Sequence, residues 1–80
     1  MTVAEQIAAL ERQAQAIGLT LKELCRRAGV RDSNVYRWKS GAVSPTEETW
    51  AETRALLEEA LEEALGDVWA AIQRMQKEAL

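Results

Sequence analysis

The side chains with chemistry to offer fall in one short run: Ser33, Asn34, Tyr36, Arg37 and Ser40. On a helix whose inward direction is set by Val35 and Trp38, a turn of 100° per residue puts Ser33, Tyr36, Arg37 and Ser40 on the opposite face. Asn34 lies on the flank. Such a face suits base edges in a major groove: Arg pairs bidentately with guanine, Asn with adenine, and Tyr36 can meet a thymine methyl or a phosphate. Covalent chemistry has no comparable support. The chain has no His and one Cys, so Ser33, Ser40 and Ser44 have no imidazole to activate them and no metal-ligand cluster can form. No Gly-rich phosphate loop is present. The carboxylates lie on helix faces beside Lys and Arg. The expectation is a binding protein and not an enzyme, with no metal and no cofactor.

The elements that must position this face form a helix-turn-helix over residues 20–41. Thr20 and Glu23 make a T-x-x-E capping box that starts the first helix. Leu21, Leu24, Cys25 and Ala28 give it one apolar stripe. Gly29 supplies the left-handed residue that ends it, and Val30 tucks back into the core. Asp32 or Ser33 is expected to cap the second helix, which Gly41 ends. Asp32 could instead accept from cytosine; the cap is the favoured reading. Trp38 could stack on a base, but its spacing from Val35 favours the core. Two short helices across a Gly-containing turn are the supersecondary unit that reads DNA. The positive dipole end of the first helix is a ready phosphate site, with Thr20 and Lys22 beside it. Arg26 and Arg27 lie further along, in contact with phosphate or with acidic residues, or as solvated charges.

Net charge −3 looks wrong for a DNA binder until it is split. Residues 1–45 carry seven Lys/Arg against four Asp/Glu, and residues 46–80 carry three against nine. Within 20–45 the balance is six to two, so the basic charge sits on the motif, as phosphate contact needs. Eighty residues make one small domain in which oligomers are common. No leader-like segment and no apolar run long enough for a membrane is present. The single Cys25 reads as a core residue of a cytoplasmic protein.

Before the motif, Thr2 to Ile17 reads as helix 1. It opens on a Thr2–Glu5 capping box, follows the stripe Val3, Ile7, Leu10, Ala14 and Ile17, and ends at Gly18. After it, Ser44-Pro45-Thr46-Glu47 announces helix 4, with Ser44 as cap and Pro45 at the first helical position. Helix 4 is expected to run to Leu65, about 31 Å. Trp50, Thr53 or Arg54, and Leu57 should close the core. Gly66 is expected to end this helix, with Asp67 capping a short helix 5 from Val68 to about Ala79. The alternative is one continuous helix. Leu61, Leu65, Val68, Trp69, Ile72 and Met75 form an apolar stripe that a head of this size cannot cover, and such stripes mark interfaces. The region would pair with its mate from a second subunit or fold back as a hairpin on the head; dimerisation is the favoured use.

Residues 20–41 resemble the lambda-repressor-like (Cro/cI, XRE-type) family of DNA-binding domains. Leu24, Ala28, Gly29, Val30, Val35, Trp38, Gly41 and the RWKSG run carry the likeness, which covers roughly residues 5–57. Cys25 stands where that family has Ala, and Arg31 where a Ser or Thr usually caps the recognition helix. The resemblance implies phosphate contacts from Thr20, Lys22, Arg31 and Lys39, and base reading by helix 3.

The expected architecture is all-α: a compact four- to five-helix domain with a helix-turn-helix head at 1–57 and a helical dimerisation region at 58–80. The expected function is a sequence-specific transcriptional regulator, a repressor bound as a homodimer to an inverted-repeat operator in double-stranded DNA. Phage repressors, plasmid regulators and antitoxins contain such heads. The alternative is a protein-interaction module, of antitoxin or phage type, whose acidic C-terminal helices bind or inhibit a partner protein.

Overall fold

The computed structural model describes residues 1–79 and places four helices among them: α1 Val3–Ala16, α2 Leu21–Ala28, α3 Asp32–Ser40 and α4 Glu47–Ala79. The all-α expectation holds. Both capping boxes form. Thr2 Oγ1 accepts from the Glu5 amide and Thr20 Oγ1 from the Glu23 amide, each at 3.1 Å, and the Thr20 amide donates back to Glu23 Oε1 at 3.1 Å. Gly18, Gly29 and Gly41 take φ of 83°, 71° and 81° at the three helix ends, a region that costs a Cβ-bearing residue about 1–2 kcal/mol. After Gly29 the Val30 amide returns to the Cys25 carbonyl at 2.9 Å, closing a six-residue loop of the Schellman type.

The core is the meeting point of these stripes. Ile7, Leu10, Ala14, Leu21, Leu24, Cys25, Val35, Trp50, Leu57 and Ala60 are buried together. Trp38 is half-buried and meets Trp50 edge-on, with ring centroids 6.5 Å apart and planes at 87°, so core packing is its role here. The Trp50 indole N–H finds its partner in Gln6 Oε1 at 3.2 Å. On α4 the core-facing residue is Thr53, while Arg54 stays at the surface and donates to Glu58 at 2.9 Å.

Three boundaries differ from expectation. The cap of α3 is neither Asp32 nor Ser33. Arg31 holds the extended cap conformation and offers no side-chain bond, which leaves Asp32 as the first helical residue. Its carboxylate there still favours the positive end of the helix dipole. The cap of α4 is Thr46, whose hydroxyl accepts from the Thr49 amide at 3.1 Å, so Ser44 and Pro45 lie before the helix. Finally, α4 does not break at Gly66. It runs 33 residues without interruption, and there is no helix 5. A helical glycine costs about 1 kcal/mol relative to Ala, and Ala64, Leu65 and the apolar run from Val68 are able to carry that. The ion pair from Arg27 to Asp67, at 2.7 Å, also holds this turn against α2.

The resulting shape is a head with a handle. The molecule measures 52 × 21 × 18 Å, and α4 alone accounts for the long dimension at about 50 Å. Burial of α4 extends past Leu57 to Ala60 and Ala64, beyond the expected end of the head at residue 57. Past Ala64 the helix has no neighbouring element burying it, and Leu65, Trp69 and Met75 are 55%, 60% and 67% exposed. Leu61, expected on the dimer stripe, is half-buried against the head's core.

Candidate nucleic-acid interface

The candidate interface is the outer face of α3 with the adjoining start of α2. Val35 is fully buried, and this orients the rest of α3. Ser33, Tyr36, Arg37 and Ser40 are exposed, and Asn34 is half-buried at the flank, as the helical wheel predicts. They do not act as five equal groups. Arg37 Nη2 donates to Asn34 Oδ1 at 3.1 Å, so these two side chains stand together on one turn. The Ser40 hydroxyl donates to the Arg37 carbonyl at 2.9 Å and accepts from the Ala42 amide at 3.4 Å. It serves the end of the helix. Tyr36 is 40% exposed, with the Lys39 ammonium 5.9 Å from its ring centroid.

The four residues expected at phosphates are in different situations. Lys22 and Arg31 are exposed and, among the described residues, make no ion pair. Lys39 pairs with Glu11 of α1 at 2.6 Å, which turns its ammonium toward the head. The Thr20 hydroxyl is committed to the capping box, donating to Glu23 Oε1 at 3.0 Å while it accepts from the Glu23 amide. The same box places the Glu23 carboxylate at the start of α2, and hydrogen bonds from Thr20 hold its pKa below the ordinary value. An anion approaching that helix end therefore meets an ionised side chain as well as the favourable dipole.

Arg26 has a larger part than its neighbour. Lys22 and Arg26, one turn apart on α2, line a shallow hollow with Val30 and Asp32 where α2 meets the start of α3. Arg27 points the other way, to Asp67 on α4. The i, i+4 spacing of Lys22 and Arg26 was the signal that separates the two arginines. Four cations without an ion pair among the described residues, Lys22, Arg26, Arg31 and Arg37, thus lie on the helix-turn-helix. Cys25 lies behind them in the core, where burial pushes its thiol up to about 11.

A family model described as Transposase, of the helix-turn-helix type, matches residues 3–79. The chain belongs to the transposase helix-turn-helix family. It is a helix-turn-helix DNA-binding domain. The match takes in all of α4, whereas the likeness to Cro/cI-type heads covers roughly residues 5–57. No curated protein and no solved structure matches the chain. No helix among the described residues is long and apolar enough to cross a membrane.

Proposed function

We propose that this protein is a sequence-specific reader of double-stranded DNA that binds an inverted repeat as a homodimer, in the manner of a Cro/cI-type repressor. In this reading α3 lies in the major groove. Arg37 and Asn34 read base edges as a pair, Ser33 and Tyr36 contact the groove beside them, and Lys22, Arg26 and Arg31 hold phosphates. The chain binds DNA in the cytoplasm and does no chemistry on it. The single observation that carries the reading is the coincidence of four cations without ion pairs and the polar face of α3 on one helix-turn-helix, in a chain whose net charge is −3. A protein that used this surface only for other proteins would not need its basic charge gathered there.

The family match favours a second setting for the same surface. The DNA read would then be the end sequence of a mobile element instead of an operator, and the chain would supply recognition to transposition.

Binding of the purified protein to DNA flanking its own gene, at two salt concentrations and against random DNA, tests the reading. Tight binding to one short inverted repeat that weakens steeply with salt is expected. Arg37→Ala should lose about 1–3 kcal/mol and relax one base position. Binding that is equal on all sequences, or an Arg37→Ala protein as tight as wild type, would overturn it and direct attention to a protein partner for the acidic helix.

A further inference from the structure

We propose that α3 selects bases whose major-groove edges present hydrogen-bond acceptors: a guanine under Arg37, and a guanine or thymine beside it under Asn34. The proposal rests on the reading above, in which these two side chains lie in a major groove, and adds which bases they choose.

The observation that carries it is the bond between the two side chains. Arg37 Nη2 donates to Asn34 Oδ1 at 3.1 Å. A guanidinium has donors and no acceptor, so the amide atom that faces it is the oxygen, and the amide nitrogen is the atom left over. The bidentate contact of Asn with adenine needs both amide atoms, the oxygen accepting from the adenine amino group and the nitrogen donating to N7. Here that oxygen is committed to Arg37. Asn34 is left with N–H groups to offer a base. Guanine sets two acceptors side by side for them, and thymine sets one. Adenine places an amino group beside its one acceptor, and cytosine has only an amino group, so both bring donor against donor.

Arg37 keeps its own capacity. One Nη2 hydrogen serves Asn34, and the other still forms a fork with Nε or Nη1, the geometry that takes guanine O6 and N7 together. No carboxylate among the described residues pairs with Arg37 and draws it off. The spacing suits neighbouring bases as well. The bonded atoms stand 3.1 Å apart, close to the roughly 3.4 Å between stacked bases, so the pair spans one base step.

The rest of the α3 face does not reverse this preference. Ser40 uses its hydroxyl at the helix end, donating to the Arg37 carbonyl and accepting from the Ala42 amide. Asp32, the one carboxylate of α3, lies in the hollow with Lys22 and Arg26, which Asn34 and Arg37 do not line. Ser33 and Tyr36 carry hydroxyls, which donate as readily as they accept.

Selection by the full chain from a pool of random duplexes, read by sequencing, tests the proposal. The enriched site should contain a guanine whose preference Arg37→Ala removes, with guanine or thymine next to it. In that site 7-deazaguanine, which lacks N7, should weaken binding at the Arg37 guanine by about fivefold or more. Inosine keeps the major-groove edge of guanine and should bind as guanine does. Asn34→Asp separates reading from positioning. Aspartate still accepts from Arg37 but has no donor, so the selected neighbour should change to cytosine, whose amino group it accepts, while the Arg37 guanine stays. Adenine or cytosine as the wild-type neighbour overturns the proposal and leaves the sequence-specific reader standing. So does an Asn34→Asp protein that keeps the wild-type site, or 7-deazaguanine bound as tightly as guanine. A pool in which no sequence is enriched overturns the proposal and the reader together.

Discussion

Asn34 and Arg37 are one unit: the guanidinium of Arg37 donates to the Asn34 amide oxygen at 3.1 Å across a single turn of α3. Asn34 therefore holds Arg37 in place and keeps its own amide N–H groups to offer. In a double-mutant cycle on the DNA site, Asn34→Ala and Arg37→Ala should each weaken binding, and the double variant should lose less than their sum by about 0.5 kcal/mol or more. Additive losses would show that the two act separately.

Lys39 is the residue whose assignment depends most on a neighbour. Its ammonium lies 2.6 Å from Glu11, with the two side chains 34% and 18% exposed. A phosphate contact has to compete with that carboxylate. Glu11→Gln removes the competitor, so DNA binding should tighten and the slope of log K against log salt should steepen by about 0.9, one further phosphate. An unchanged slope would remove Lys39 from the interface.

Gly66 is helical, with nothing within 4 Å of a Cβ placed on it. Gly66→Ala should therefore stabilise the protein by about 0.5–1 kcal/mol and raise Tm by several degrees, with no loss of helicity by circular dichroism. A destabilised protein would mean that this position needs glycine's conformational freedom.

Acid should loosen two helix starts. Hydrogen bonds from Thr2 and Thr20 lower the pKa of Glu5 and Glu23 from 4.5, and both groups are exposed. With the folded values lower than the unfolded ones, the stability they contribute is complete above pH 4.5. It is lost as the pH falls through the folded values. Replacing Glu23 by Gln should flatten the acid limb of Tm against pH. A limb of unchanged slope would show that the box does not titrate with folding.

Cys25 should be silent until the protein opens. It is fully buried and its thiol titrates near 11, so iodoacetamide at pH 8 should modify it only at the rate of unfolding. The rate should rise with denaturant in step with loss of helix. Rapid modification without denaturant would place the thiol at the surface.

Local signals in the chain were legible, while contacts between distant segments were not. Thr2 with Glu5 and Thr20 with Glu23 announce their helix starts because the interaction spans three residues of one turn. Gly18, Gly29 and Gly41 end short helices whose chain must reverse, and each takes a positive φ. Gly66 has the same side chain, but it sits inside a run of good helix formers with no reversal to make, so residue type alone misleads there. Thr46 caps α4 where Ser44 was expected, because the helix starts at Glu47 and the Thr46 hydroxyl is the one that meets the Thr49 amide. The partners of Arg27 and Lys39 lie 40 and 28 residues away on other helices. No periodicity within one helix records such a pairing, and this is why the phosphate set read from the chain needed the three-dimensional arrangement to sort it.

An uninterrupted α4 makes the distance between head and tail a matter of phase. Between Ala64, held in the core, and the exposed Val68, the backbone has no joint that could swivel. Each residue added there would turn the tail by 100° and advance it by about 1.5 Å, so one insertion swings its apolar stripe away and four nearly bring it back. The direction in which the tail faces is thus counted in residues along one screw.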